Sequence, residues 1–147
     1  MHINAFEDHE RVYAHAVGHK LLTVLTIDVP RSLNRRVHSS NPVAYPRGGT
    51  KPLRTDSEFY RTIVVGGAPR LCATPQACRD AFPDFAIFEA LGCGSAVNIP
   101  VIAGGITIGS INVRHEAGWY HQDMFPLLLE LAALAVPLLK QPSEFEE

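Results

Sequence analysis

The stretch SAVNIPVIAGGITIGSINVR, residues 95–114, decides the fold. Ser95 to Ile102 and Ile106 to Arg114 are two apolar runs rich in Val and Ile, with Gly104-Gly105 between them. Branched side chains suit a pleated, half-buried surface, and a Gly pair accepts the positive φ angles of a two-residue hairpin turn. The pattern predicts two antiparallel strands, tightly joined. Side chains alternate between the faces of a strand. Val97, Ile99, Ile111 and Val113 therefore share one side, and Asn98 and Asn112 point to the other. A buried amide without partners costs a few kcal/mol, so these two must be satisfied. Either both face a pocket and orient a polar ligand, or they lie on an exposed face or bond to a neighbouring loop.

Toward the C-terminus, Gly118 closes the hairpin unit and Gln122 to Lys140 reads as a helix with Asp123 near its cap. Pro126 fits only the first turn, and Pro137 ends or bends the helix. Toward the N-terminus, Pro83 to Leu91 reads as a short amphipathic helix, Thr74 to Ala81 as irregular chain, and Pro69 to Ala73 as a short strand. Thr55 or Asp56 is positioned to cap a helix running through Phe59, Ile63 and Val64 to Gly66-Gly67. Residues 41–55, with Pro42, Pro46, Pro52 and Gly48-Gly49, form a long irregular loop, a kind of segment that is often functional. Arg35 to Ser40 reads as a polar strand near a sheet edge, and Leu21 to Ile27 as its partner across the turn at Asp28–Asn34. Asn4 and Glu7 resemble a capping box for a first helix ending at Gly18.

The order is helix, two strands, loop, helix, strand, helix, two strands, helix. An antiparallel sheet with helices on its faces buries these patterns. The chain has 147 residues, enough for one domain, expected to span 1–147 with its core at about 20–139. Its 46% hydrophobic and 19% charged residues fit an ordinary globular protein. The net charge of −2 disfavours a nucleic-acid binder. Charge is unevenly placed: residues 31–61 hold seven Lys and Arg against two acids, and residues 80–147 hold two against nine. The basic segment suits an anionic partner or ligand; the alternative is a solvated loop region.

Three cysteines with no C-x-x-C pair argue against a disulfide scaffold and a structural zinc site. His15 and His19, at i and i+4, lack the companions of a metal motif. The acidic N-terminus is unlike a signal peptide, and the longest apolar run, Leu127 to Leu139, contains Glu130 and Pro137 and is too short to span a bilayer. A cytoplasmic protein with no membrane association is expected. With no length for a separate output domain, any signal would pass through a partner chain.

The strand pair, with its central Pro100, Gly turn and Ile108-Gly109, resembles the GAF domain, as does the helix that follows. The similarity spans about residues 20–139 and implies an α/β (α+β) fold. Its central antiparallel sheet would have five to six strands, terminal helices on one face, and loops and short helices over a pocket on the other. The segment Ser39 to Pro52, the stretch Leu91 to Ser95 and the stretch His115 to Tyr120 resemble a subgroup of stand-alone bacterial GAF proteins without an assigned function. The family binds ligands of many kinds, so the resemblance implies small-molecule sensing and names no cofactor. The Asn-Lys…Phe…Asp-Glu signature of its cyclic-nucleotide members is absent, as is the Cys-His pair of bilin attachment. Free methionine-R-sulfoxide reductases share the fold, but the spacings among Cys72, Cys78 and Cys93 do not match theirs.

Six residues are candidates for a ligand site: Tyr45, Lys51, Cys93, Asn98, Asn112 and His115. Tyr45 and Lys51 belong to the Pro/Gly-rich loop, which could close over an anion with Lys51 or Arg47 as charge partner. Cys93, flanked by Gly92 and Gly94, is a possible nucleophile or an inert buried thiol. His115 is a possible proton carrier or a loop-capping residue, and Trp119-Tyr120 beside it a lid or core anchor. The expectation is a sensor-type protein binding a small polar or anionic molecule. The alternative is a small thiol-based or acid–base enzyme using Cys93 or His115. The last helix is apolar nearly all round, whereas a helix covering a sheet needs only a stripe. With little apolar area on the first helix to cover it, a homodimer through the C-terminal helix is expected.

Overall fold

A computed structural model describes residues 3–141. Residues 1–2 and 142–147, which the single-domain expectation also takes in, lie outside the described residues. The elements are α1 (Phe6–Ala16), β1 (Leu21–Asp28), β2 (Leu33–Ser39), β3 (Thr50–Pro52), a π-helical turn (Tyr60–Val65), β4 (Arg70–Cys72), α2 (Pro75–Ala81) and α3 (Phe85–Ala90). They continue with β5 (Ser95–Ala103), β6 (Ile106–His115), a 3-10 turn (Gln122–Met124), α4 (Phe125–Ala133) and α5 (Val136–Lys140). Six antiparallel strands form one sheet in the order β3-β2-β1-β6-β5-β4.

The β5–β6 hairpin forms as its composition predicts. Gly104 and Gly105 turn it with φ of 59° and 78°, the mirror-image turn that matches strand twist. Val97, Ile99, Val101, Ile111 and Val113 face α4 and α5, where Leu128, Leu131, Ala132 and Ala135 complete the core. Each such side chain taken fully out of water contributes about 1.5–3 kcal/mol, less for alanine. Gly109 lies where α5 crosses β6: a Cβ there would stand 2.7 Å from Leu139 Cδ1 and 2.6 Å from the Leu25 carbonyl oxygen.

The terminal helices share this face. Tyr13 OH donates to the Leu128 carbonyl at 2.9 Å, and His9 Nε2 donates to that of Leu131 at 2.8 Å. So α1 covers α4 with two buried rings, more than its charged sequence suggests. The expected single C-terminal helix is broken at Leu134–Ala135. Pro137 has no N–H for a helical bond and its ring clashes with the preceding turn, so the chain tightens there and restarts as α5. Among the described residues no helix is long and apolar enough to cross a membrane.

Several local expectations are corrected. β2 lies near the edge as expected, but the expected 41–55 loop contains β3, which pairs outside β2 as the edge strand, with Pro52 opposite Leu33. Proline, lacking an N–H, is tolerated at that outermost position. The expected irregular stretch 74–81 contains α2, capped by Thr74 Oγ1 accepting from Ala77 N at 3.1 Å. Pro75 there starts a helix instead of breaking one. The helix before Gly66 is capped by Ser57 Oγ, which accepts from Tyr60 N at 3.0 Å, and not by Thr55 or Asp56. At the start of α1, Asp8 supplies the capping carboxylate in place of Glu7, accepting from the Asn4 and Ala5 amides at 3.2 Å.

Candidate functional site

On the sheet face away from the terminal helices, four strands place one polar residue each in a single cross-strand row. Thr23 of β1 is opposite Asn112 of β6, Asn112 opposite Asn98 of β5, and Asn98 opposite Arg70 of β4. The row is hydrogen-bonded throughout. Arg70 Nε donates to Asn98 Oδ1 at 3.0 Å, Asn98 Nδ2 to Asn112 Oδ1 at 2.7 Å, and Asn112 Nδ2 to Thr23 Oγ1 at 3.4 Å. Ser110 Oγ also donates to Asn112 Oδ1, at 3.2 Å. Both amides are thus buried without being left unsatisfied, as burial of a polar group requires.

This row forms part of the floor of a cavity of about 770 Å³. Its walls come from the segment around β3, the residues leading into the π-helical turn, β4, and the junction of α2 and α3. Five cations line it, Arg36, Lys51, Arg54, Arg70 and Arg114, against three carboxylates, Glu58, Asp80 and Asp84. Lys51 and Arg54 are exposed at the rim. The Arg70 side chain is 9% exposed and 3.6 Å from Glu58. Arg114 is 6% exposed, and its Nε and Nη1 have no hydrogen-bond partner. Aromatic rings surround its guanidinium carbon: Phe88 at 4.6 Å, Phe82 at 5.2 Å and Tyr45 at 5.5 Å. Such ring faces attract a cation, by about 0.5–2 kcal/mol each. Arg36 Cζ lies 5.0 Å from the Tyr45 ring as well. Burial, then the charge of Arg114, pushes the Arg36 guanidinium below its usual range. Burial does the same to Arg70, against the opposing pull of Cys72 and Glu58, with a smaller downward push from Arg114.

Of the six residues picked out in the sequence, Lys51, Asn98 and Asn112 line this cavity together. Tyr45, Cys93 and His115 do not. Tyr45 is buried behind the wall, its OH donating to Asp84 Oδ2 at 2.8 Å and its own ionisation pushed up by burial. Cys93 is buried with Cys72, Cys78, Phe88 and Leu21, and burial raises its thiol pKa against the opposing field of Arg114 and Lys20. The other two thiols are likewise raised by burial, Cys78 to about 11. Low thiolate character is the opposite of what a cysteine nucleophile needs. His115 stacks on Trp119, centroids 3.8 Å apart, and its Nδ1 accepts from the Glu116 amide at 2.8 Å. Burial lowers its pKa. Trp119 Nε1 donates to the Val17 carbonyl and buried Tyr120 OH to that of Gly18, so the pair anchors the chain between α1 and β1. Arg47, the other loop cation considered as a charge partner, is not among the cavity residues. No group of three His, Cys, Asp or Glu among the described residues could hold a metal ion.

Arg36, Arg70 and Arg114 were not singled out from the sequence. One signal was available: Arg114 follows Asn112 by two residues, so strand alternation puts them on one face. The convergence of Arg36 and Arg70 depends on pairings with β1 and β5 that spacing does not reveal.

No protein-family model matches this sequence, and no curated protein sequence matches it. Solved structures do resemble it. A GAF domain/HD domain protein from Geobacter sulfurreducens superposes with a TM-score of 0.71 at 11% identity, over 97% of this chain and 94% of that one. The GAF domain of a two-component sensor histidine kinase from Bacillus halodurans gives 0.65 at 15% identity, over 92% and 95%. A free methionine-R-sulfoxide reductase from Neisseria meningitidis, solved with its substrate, gives 0.64 at 16% identity, over 88% and 72%. The chain therefore has the GAF-domain fold, an α+β architecture on a six-stranded antiparallel sheet.

Proposed function

We propose that this chain is a sensor-type GAF domain whose cleft binds a small polar or anionic molecule. The observation that carries this reading is the buried Asn98–Asn112 pair, held in a hydrogen-bonded row on the floor of a cavity lined by cations. A pre-formed concave site with a few fixed polar groups is the usual form of a small-molecule pocket. The row crosses the central strands, so a ligand resting on it touches the structural middle of the domain. Binding there would be passed on through a partner chain or through a homodimer built on the C-terminal helices, in the cytoplasm.

A thermal-shift screen of small polar metabolites tests this. A compound that binds only the native state raises Tm in a concentration-dependent way. Asn112→Leu is expected to abolish that rise, and a rise of unchanged size in this variant would remove Asn112 from the site. If no compound raises Tm, the binding reading fails.

A further inference from the structure

Among the described residues, nothing neutralises the charge of Arg114. Two of its nitrogens are buried without hydrogen-bond partners, and among the described residues it has no ion pair. The nearby carboxylates are otherwise engaged: Glu58 approaches Arg70, Asp84 accepts the Tyr45 hydroxyl and Asp80 accepts from Gln76 Nε2. A buried charge without a counter-charge is strongly unfavourable, and a packed apolar side chain would be better tolerated there. The surrounding rings offset part of the cost, but a ring face is a weaker partner than an oxyanion. Arg36 adds a second, like-charged guanidinium, 5.0 Å from the same Tyr45 ring that Arg114 approaches at 5.5 Å. Packing alone gives no reason to gather these cations on the sheet side of one cavity.

We infer that Arg114, flanked by Arg36 and Arg70, is the receptor for the oxyanion end, a carboxylate or phosphate group, of a small organic ligand. This rests on the reading of the cleft as a small-molecule site and adds the chemical class of ligand and the residue that selects it. A planar guanidinium matches the oxygens of either group. The depressed ionisation of Arg36 and Arg70 accords with it, since an entering anion would relieve the mutual repulsion that contributes to that depression. Lys51, exposed on the rim, draws an anion toward the mouth, a role in encounter rather than in seating. The selecting charge thus belongs to the strand floor, and the Pro/Gly-rich loop supplies only an outer cation.

Inorganic phosphate and malonate are the probes, titrated against chloride at constant ionic strength. At least one is expected to raise the wild-type Tm saturably, and the lower half-saturation concentration identifies phosphate or carboxylate as the preferred group. Arg114→Gln is expected to weaken the effect at least about tenfold, the scale of one lost charge-assisted contact, while Lys51→Gln changes it less. Because Arg114 is buried, that variant could fail to fold, so the Arg114 Nε–Hε resonance of the wild type is followed in the same titrations. It is expected to shift with the same midpoint as Tm. Absence of a saturable response to both anions overturns the inference, as does an Arg114 resonance that stays still while Tm rises. Neutral polar compounds separate the two levels of the argument. If they bind and lose binding in Asn112→Leu while neither anion acts, the cleft reading stands and the anion receptor falls. If nothing binds, both fall.

Discussion

Glu10 Oε1 lies 2.7 Å from His38 Nε2, tying a carboxylate on α1 to an imidazole on β2; its other oxygen meets His19 Nε2 at 3.1 Å. These two hydrogen bonds hold the Glu10 carboxyl at a pKa of about 2, against the opposing effect of burial. The folded state therefore binds the proton less readily than the unfolded chain, whose value is near 4.5. The stabilisation is complete above that value and is lost as pH falls from 4.5 toward 2. With the side chain 25% exposed and open to solvent screening, it is worth about 1 kcal/mol. Urea unfolding of Glu10→Gln should show that deficit at pH 5 and above and a vanishing one near pH 2.

A second acid response begins at higher pH. Burial holds His9 below the ordinary imidazole value of 6.5, and its Nδ1 has no partner to stabilise a proton. The unfolded chain takes up that proton first, so stability falls as pH drops through 6.5. Comparing urea unfolding at about pH 7.5 and 5.5 reads the loss, and it should persist in Glu10→Gln because it belongs to a different group.

Gly109→Ala should destabilise the fold by about 1–3 kcal/mol in urea unfolding. The added methyl meets a strand carbonyl at 2.6 Å, which cannot retreat without disturbing the β1–β6 pairing. Leu139→Ala in the same background would remove one of the two clashes and recover only part of the loss.

The amides of the polar row should behave as a unit. Asn98→Leu leaves Asn112 Oδ1 without its nearest donor and Arg70 Nε without its acceptor. Each buried group so abandoned costs about 1–3 kcal/mol. Replacing Asn98 and Asn112 together should cost less than the sum of the two single changes, and a double-mutant cycle measures the difference. A strictly additive cycle would show that the pair is not coupled.

The homodimer expected through the C-terminal helix can be tested only at residues the chain leaves exposed. Leu131 and Leu138 are 8% and 6% exposed within the chain, so charges there would disrupt the core and not an interface. Leu127, 41% exposed, lies on the outer side of α4 with exposed Ala133. Leu127→Glu with Ala133→Glu should convert a dimer mass to a monomer mass in light scattering and leave the circular dichroism unchanged. A monomer mass for the wild type at micromolar concentration would exclude the dimer.

The sequence conveyed the sheet more readily than the site. The β5–β6 hairpin was legible because Val, Ile and a Gly pair carry both its period and its turn locally. Asn98 and Asn112 stood out for the same reason, as polar breaks in an apolar pattern. β3 was hidden, since three residues framed by proline and glycine have no period of their own. α2 was hidden because Pro75 reads as a breaker unless Thr74 is recognised as its cap. The arginine cluster was hidden because its members come from positions 36, 70 and 114, which meet only when four separate strand pairings have formed.

The β1–β6 seam has a consequence for how the chain reaches this state. β1–β2 and β5–β6 are hairpins whose partners are close in sequence, whereas β1–β6 sets Leu21 against Arg114, about 90 residues apart. Closing so long a loop demands chain entropy before any contact rewards it. The two hairpins can therefore form early and separately, and the seam joins them late. Because Thr23 meets Asn112 across that seam, the cleft floor is completed only at that last step, and a folding intermediate with both hairpins formed would still have no binding site.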